Sequence, residues 1–171
     1  MHQYTLETDR LVLRPLTVAD APAVFVWGGD PEVNRYMSYP LERSEADAEA
    51  WLRTVEESEG DLEFGFVRKA DGLLIGSGGA YPREDGSWVV GYNFRRDCWG
   101  RGYATEALRA IIDFVHGEKG GKVFTADHAV ANPASGRVME KCGMEFVGYG
   151  EYSKLDGSVT FPAKCYRLEL E

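Results

Sequence analysis

The sequence has little of what marks secreted, membrane or metal-binding proteins. It contains only three cysteines in 171 residues, Cys98, Cys142 and Cys165, and they form no CxxC pair and no zinc-like spacing with histidine. A disulfide framework or a zinc site would need a denser pattern. No stretch approaches the roughly 20 apolar residues that cross a bilayer, and the first residues lack the regions of a signal peptide. We therefore expect a cytoplasmic protein with no metal and no membrane partner.

Basic residues are also scarce. Lys and Arg number 19 against 28 Asp and Glu, which gives a net charge of −9. A general nucleic-acid binder needs a basic face, so the sequence predicts no nucleic-acid partner. The charge is uneven: residues 1–94 carry −9, whereas residues 95–141 carry +2. The acidic part either keeps the protein soluble or attracts a cationic substrate, and both interpretations stay open.

Apolar periodicity and turn residues predict one domain over residues 1–171. Asp71-Gly72 and Glu84-Asp85-Gly86 mark the turns of an antiparallel meander. The predicted order is a strand at 11–14, a helix beginning at Thr17, a helical piece at 31–37, a helix beginning at Ser44, strands at 62–68, 73–81 and 87–94, a helix at 102–116, a strand at 123–129, a helix at 132–142, and strands at 144–154 and 159–170. This order predicts an α+β fold with a mixed, mostly antiparallel central sheet, helices on both faces and one parallel crossover between 87–94 and 123–129.

The most informative segment is the turn Gly100-Arg101-Gly102, which joins a predicted strand to a helix. The first turn of a helix leaves backbone N–H groups unpaired, and the helix dipole adds positive potential there. Glycines without Cβ atoms let a phosphate approach the backbone. The Gly-Lys-Ser/Thr ending of a Walker loop is absent, and the glycine spacing does not suit a dinucleotide fingerprint. The turn therefore predicts an anion site, without naming its ligand.

Three ordered motifs resemble the GCN5-related N-acetyltransferase (GNAT) family, and in particular its ribosomal-protein N-terminal acetyltransferase branch (RimJ/RimL-like). They are residues 8–15 (Thr-Asp-Arg-Leu-Val-Leu-Arg-Pro), residues 99–107 (Trp-Gly-Arg-Gly-Tyr-Ala-Thr-Glu-Ala) and residues 132–144, which run from Asn-Pro-Ala-Ser to Lys-Cys-Gly-Met. The resemblance covers nearly the whole chain. It implies an acetyltransferase that takes acetyl-CoA as co-substrate and a primary amine as acceptor, with no metal.

The resemblance also implies the residues that bind acetyl-CoA. The loop amides of the family hold the pyrophosphate, and the strand before the loop diverges from its parallel neighbour so that the pantetheine arm lies in the gap. A backbone N–H at that strand end would polarise the thioester carbonyl. Carried over residue by residue, the expected set is Asn93, Phe94, Arg95, Trp99, Gly100, Arg101, Gly102, Tyr103, Ala104, Thr105, Asn132 and Lys141.

The candidate proton-transfer groups depart from the pattern of the family. Relatives often protonate the thiolate with a Tyr on the second-motif helix, where this chain has Met139, so we take Ser135 as the candidate acid or water holder. Relatives often carry a Glu before Gly-Tyr, where this chain has Val89. Glu84 is the candidate base, with Glu32 and Tyr81 as alternatives. Glu106 is expected to be structural.

The acceptor is expected to contact Asn34, Tyr36 and Tyr39, in the helical piece and the loop after it. It is either a small cationic amine or a protein N-terminus, and the protein is a monomer or a homodimer. A different possibility is a catalytically silent CoA-binding sensor, because the usual Tyr and Glu are missing. A third, a nucleotide-binding module, would bind phosphate without a CoA-length groove.

Overall fold

The computed structural model describes residues 1–171, and its centre is one eight-stranded sheet. In chain order the strands are β1 (Leu6–Glu7), β2 (Leu11–Pro15), β3 (Leu62–Arg68), β4 (Leu73–Pro82), β5 (Trp88–Phe94), β6 (Val123–Ala129), β7 (Glu145–Ser153) and β8 (Thr160–Glu169). They lie side by side in the order β1-β2-β3-β4-β5-β6-β8-β7. Every neighbouring pair is antiparallel except β5 and β6, which are parallel. The predicted mixed sheet and its one parallel pair are confirmed.

Five α-helices connect and cover the strands. They are α1 (Ala21–Gly28), α2 (Pro31–Asn34), α3 (Glu45–Glu57), α4 (Tyr103–Lys119) and α5 (Pro133–Lys141). The helix predicted to begin at Thr17 starts with a capping box between Thr17 and Asp20, but the turn it caps is 3-10 and α1 follows at Ala21. No helix combines the length and the apolar character that crossing a membrane requires.

Two hydrophobic clusters lie on opposite faces of the sheet, because alternate strand residues point in opposite directions. Phe64, Phe66 and Ile75 pack with α4, whereas Leu74 packs with α1 and α3 on the other face. The predicted helices on both faces are therefore present. The second face also carries the polar residues of the site. Glu63 alternates with the core residues Leu62 and Phe64 on β3, and Ser77 lies on the face of Glu63 because it pairs with Gly65. A register shift between Phe66 and Val67 puts Ile75 on the opposite face.

Candidate active site

The parallel pair β5 and β6 opens into a gap. Only Trp88 with Phe124 and Val89 with Thr125 are paired, although β5 continues to Phe94 and β6 to Ala129. On its other side β5 stays paired with β4 along its whole length. The strands diverge towards their C-terminal ends, as the family resemblance implies.

Backbone N–H groups of β5 face this gap. Arg95 donates its N–H to the carbonyl of Ile75, 2.8 Å away, in continuation of the β4–β5 ladder. Because hydrogen bonding alternates along an antiparallel ladder, the N–H groups of Tyr92 and Phe94 point away from β4, into the gap. The Arg95 N–H is therefore engaged with β4, whereas the Phe94 N–H points into the gap.

The glycine loop leads from β5 into α4. Gly100 and Gly102 have φ angles of 71° and 81°, the left-handed region that only glycine adopts without strain. The first helical hydrogen bond runs from Glu106 N–H to Gly102 O at 3.1 Å. The N–H groups of Tyr103, Ala104 and Thr105 consequently have no acceptor within the helix. They form an anion site at the positive end of the helix dipole.

A cavity of about 420 Å³, which we call the loop cavity, lies at this anion site. It contains eleven of the twelve residues predicted to bind acetyl-CoA: Asn93, Phe94, Trp99, Gly100, Arg101, Gly102, Tyr103, Ala104, Thr105, Asn132 and Lys141. Its charged lining is basic, with Arg35, Arg101, Arg137 and Lys141 against Glu32 alone. Arg35 lies outside the three motifs and Arg137 lies within the third, but neither was predicted to bind acetyl-CoA, and the fold brings both to this cavity.

A second cavity of about 430 Å³, the sheet cavity, lies between the sheet and α3. Glu63, Ser77, Tyr81 and Gly91 of the sheet line it, and the other lining residues include Tyr39, Trp51, Thr54, Val55 and Asp61. No Lys or Arg is among them. The two cavities share Met37, Tyr92 and Asn93, so they meet at the end of β5.

Asn93 is fixed in orientation at this junction. Its Oδ1 accepts a hydrogen bond of 3.0 Å from Ser77 Oγ, and its Nδ2 donates to the hydroxyl of Tyr39. Burial raises the pKa of Tyr39, so the phenol stays neutral. The Tyr39 loop is thereby joined to β5 where the two cavities meet.

Glu63 and Tyr81 form a hydrogen-bonded pair in the sheet cavity. The Tyr81 hydroxyl donates to Oε2 of Glu63. Burial raises the pKa of Glu63 to about 7; the hydrogen bond from Tyr81 opposes this rise, and the charge of Asp61 adds to it. A carboxyl with such a pKa exchanges its proton near neutral pH.

Ser135 faces the gap from the start of α5. The Tyr92 hydroxyl lies 3.0 Å from Ser135 Oγ and donates to the Ser135 backbone carbonyl, also at 3.0 Å. Burial raises the pKa of Tyr92, so its phenol is protonated at neutral pH. Met139, where relatives often carry the Tyr, is buried in the core. The phenol beside Ser135 thus comes from β5.

Three predicted residues line neither cavity. Glu84 is exposed in the β4–β5 turn, which precedes β5, whereas the glycine loop follows it. Asn34 is buried, donating Nδ2 to Tyr39 O at 2.8 Å and accepting from Lys154 Nζ at 3.1 Å. Arg95 pairs with Asp97 at 2.9 Å. Tyr36 lies in the loop cavity and Tyr39 in the sheet cavity.

Glu106 has a structural environment. It accepts hydrogen bonds from Thr8 Oγ1 at 2.6 Å, from Arg10 N–H at 3.1 Å and from Arg10 Nε at 2.9 Å. Burial alone would raise the pKa of Glu106, but these bonds outweigh it and lower the pKa. The carboxylate ties the start of α4 to the segment before β2, which steadies the anion site.

A family model described as an acetyltransferase (GNAT) domain matches residues 10–145. The chain belongs to the GNAT family of acetyltransferases. It is 30% identical over 151 residues to the uncharacterized N-acetyltransferase YoaA of Bacillus subtilis, covering 84% of each protein. It is also 31% identical over 115 residues to the uncharacterized N-acetyltransferase p20 of Bacillus licheniformis, covering 64% of this chain and 65% of that relative.

Solved structures share the GNAT fold. A GNAT-family acetyltransferase from Bacillus anthracis superposes with a TM-score of 0.85 and 23% identity, covering 97% of this chain and 98% of the other. The microcin C7 self-immunity acetyltransferase MccE, solved with acetyl-CoA and AMP, has a TM-score of 0.81 and 17% identity, over 95% and 94% of the chains. The ribosomal-protein-S5-alanine acetyltransferase from Vibrio fischeri has a TM-score of 0.77 and 18% identity, over 98% and 97%. At these identities the similarity is one of fold.

Proposed function

We propose that this GNAT protein transfers the acetyl group of acetyl-CoA to a primary amine, with acetyl-CoA in the loop cavity and the amine in the sheet cavity. The observation that carries the proposal is the opposite charge of two cavities that meet at Tyr92 and Asn93. The loop cavity has four cationic side chains and an anion site, whereas the sheet cavity has two carboxyls and no Lys or Arg. Met1 also lines the sheet cavity, and its ammonium donates to Ser58 O at 2.9 Å. Two substrates of opposite charge are thus directed to one junction.

The loop cavity suits the phosphates of CoA. The unpaired N–H groups of Tyr103, Ala104 and Thr105 are donors for a pyrophosphate, and Arg101 and Lys141 add positive charge. The gap between β5 and β6 leaves room for an extended arm leading from this anion site to Asn93. Acetyl-CoA supplies an acetyl group already activated as a thioester.

The chain positions the reacting groups and stabilises the charge that develops. The Phe94 N–H, which points into the gap, donates to the thioester oxygen as negative charge accumulates there. Holding both substrates at one junction supplies much of the rate by proximity. The amine attacks directly, so no acetyl-enzyme forms.

Ser135 and Tyr92 supply the proton for the departing thiolate. Their hydroxyls lie 3.0 Å apart where α5 meets the gap. Tyr92 is protonated at neutral pH because burial raises its pKa, and Ser135 relays a proton through the same contact. This pair takes the place of the tyrosine that relatives often carry on α5.

The acceptor is a cation that presents a primary amine. Asp61 and Glu63 attract an ammonium group, and the ring of Trp51 adds a face for cation–π contact. A cavity of about 430 Å³ accommodates a small amine or the first residues of a peptide, which keeps both kinds of acceptor within the proposal.

Thiol release from acetyl-CoA, measured with a panel of small amines and N-terminal peptides beside a thermal shift with acetyl-CoA, tests the proposal. We expect stabilisation by acetyl-CoA and thiol release with one class of amine. CoA should compete with acetyl-CoA, and ATP and NAD should not. Stabilisation without release on any amine would favour the silent CoA-binding sensor, and no stabilisation would exclude the cofactor assignment.

A matched pair of glycine variants locates the cofactor site. Gly100 and Gly72 both have a φ of 71° and open space where a Cβ would lie. Gly100→Val and Gly72→Val therefore strain the backbone alike, but only Gly100 lines the loop cavity. Stabilisation by acetyl-CoA should be lost in Gly100→Val and kept in Gly72→Val. Equal stabilisation of both would place acetyl-CoA elsewhere.

A further inference from the structure

Glu63 faces the part of β5 that leads to the reaction junction. In the register of the sheet, Glu63 pairs with Gly79, and Gly79 pairs with Gly91. These three residues share one face of the sheet, and the two glycines place no side chain between Glu63 and β5. Two strand spacings separate Glu63 from Gly91, roughly 10 Å between backbones. A glutamate side chain and one amine-sized group fill that distance.

The second oxygen of Glu63 is available to a ligand. Tyr81 occupies Oε2, and Oε1 has no hydrogen-bond partner in the protein. The other carboxyl of the cavity, Asp61, likewise has one oxygen bonded, because its Oδ2 accepts a hydrogen bond of 2.8 Å from Ser58, so position separates the two carboxyls. Asp61 precedes β3, whereas Glu63 lies opposite the glycines of β4 and β5. Glu63 is thus the carboxyl best placed for the amine.

We propose, resting on the function proposed above, that Glu63 binds the acceptor ammonium and takes its proton, and that Tyr81 is the positioning residue that orients the carboxyl. The ammonium loses one proton to Glu63 and becomes a neutral amine. The amine nitrogen forms the C–N bond to the acetyl carbon while the C–S bond breaks. The nitrogen loses its second proton to water, and the Tyr92–Ser135 pair, which gives a proton to the departing sulfur, regains one from water. Glu63 releases its own proton to water.

The groups around Glu63 define its pH behaviour. Tyr81 faces it from β4, Tyr39 from the loop after α2, and Asp61 from its own segment. His2 contacts the backbone carbonyl of Glu63, at 2.8 Å. Met1 also lines the cavity, and its ammonium donates to Ser58 O at 2.9 Å. The part of α3 that lines the cavity contributes no ionisable group. Asp61 and burial keep the pKa high, and a bound cation would lower it.

Carbon-13 NMR of the 171-residue protein with labelled glutamate carboxyls tests this directly, without turnover. The Glu63 resonance is assigned by its loss in Glu63→Gln. We expect a titration midpoint near pH 7 that falls when 1,4-diaminobutane, ethanolamine or L-alaninamide is added. A midpoint near 4.5 that none of the three ammonium probes moves would overturn the proposal.

Thiol release across pH provides the kinetic test. In the wild type, kcat/KM for the amine should rise with pH as Glu63 loses its proton near pH 7. Glu63→Gln should lower kcat/KM by roughly 100-fold, a usual loss for a general base, and should abolish this rise. Tyr81→Phe removes a bond that lowers the pKa of Glu63, so the rise should move to higher pH. The control is Glu118→Gln, the same change at an exposed position of α4.

Stabilisation by acetyl-CoA separates this proposal from the function on which it rests. It should be equal in the wild type, Glu63→Gln and Glu118→Gln, which also shows that the variants fold. Unchanged kcat/KM and an unchanged pH profile in Glu63→Gln would refute the role of Glu63 while leaving acetyl transfer standing. No stabilisation of the wild type would refute acetyl transfer, whatever the NMR titration shows.

Discussion

The hydroxyl of Tyr92 lies 3.0 Å from Oγ of Ser135, so a residue of β5 and a residue of α5 meet across the open end of the sheet. The pair lies in the loop cavity, which also contains Asn93 and Asn132. Two hydroxyls in contact can relay one proton, and burial keeps the phenol protonated. This contact is the one that we propose protonates the departing thiolate.

Removing either hydroxyl should slow the step that protonates the thiolate. We expect Tyr92→Phe and Ser135→Ala each to lower kcat by roughly 10- to 100-fold, with little change in the KM for acetyl-CoA. Because the hydroxyls act as one unit, the double variant should be hardly slower than the worse single variant. Steady-state kinetics from pH 6 to pH 9 measure this. An unchanged kcat in both single variants would remove the pair from the mechanism.

Gly91 keeps the sheet cavity open. A Cβ added there meets no atom within 4 Å, and its φ is not positive, so the backbone tolerates a side chain. Gly91→Val should fill part of the acceptor space and raise the KM for the amine at least about tenfold, the effect of a few misplaced methyl groups. Stabilisation by acetyl-CoA should persist.

The control for Gly91→Val is a substitution in similarly open space outside the cavities. Gly117 on α4 also has nothing within 4 Å. Gly117→Ala and Gly91→Ala form the matched pair, and only the second should change the KM for the amine. If Gly91→Ala and Gly117→Ala change the KM for the amine equally, the amine does not bind over Gly91.

The fold and the loop cavity could be predicted because their signals are local. The predicted strands at 62–68 and 123–129 are confirmed as Leu62–Arg68 and Val123–Ala129, since alternation and turn residues mark both ends. The strand Leu6–Glu7 was missed, because two residues are too short to show a period. The glycine loop follows its strand directly in sequence.

The sheet cavity could not be predicted in the same way. Glu63 meets Gly91 only through the register of three strands, which sequence spacing does not contain. Glu84 was a candidate base on the presumed acceptor side, but seven strand residues, roughly 23 Å, separate its turn from the glycine loop. Asn34 has the residue type of a ligand contact, yet Tyr39 and Lys154 occupy its amide.

Gly136 allows α5 to approach β6 closely. A Cβ at Gly136 would lie 2.5 Å from His128 Nε2. Because a backbone carbonyl only accepts, His128 must carry its proton on Nδ1 to bond Ala129 O at 2.7 Å. His128 is buried, so its ring has little room to move away. Gly136→Ala should therefore displace the helix that carries Ser135.

The displacement should be measurable in stability and in cofactor binding. We expect Gly136→Ala to lower the free energy of unfolding by about 1–3 kcal/mol, the usual cost of overpacking, and to weaken binding of acetyl-CoA. Urea unfolding and titration calorimetry measure the two effects. Adding His128→Ala should restore part of the loss, since it removes the ring that the new methyl meets. If the double variant loses as much unfolding free energy as the two single variants together, the contact with His128 is not the cause of the loss.

The raised pKa of Glu63 predicts how stability changes with pH. Its folded-state pKa of about 7 lies above the unfolded value of 4.5, so its stabilising contribution is complete below pH 4.5 and is lost as pH rises through 7. The loss amounts to at most roughly 3 kcal/mol, from about 1.4 kcal/mol for each pKa unit. Glu63→Gln cannot ionise and should escape it. Urea unfolding at pH 5 and pH 8 should therefore show a smaller drop for Glu63→Gln than for the wild type and Glu118→Gln. Identical drops in all three proteins would mean that Glu63 ionises as freely in the folded state as in the unfolded chain, and the cavity would then hold a permanent carboxylate that binds ammonium without taking its proton.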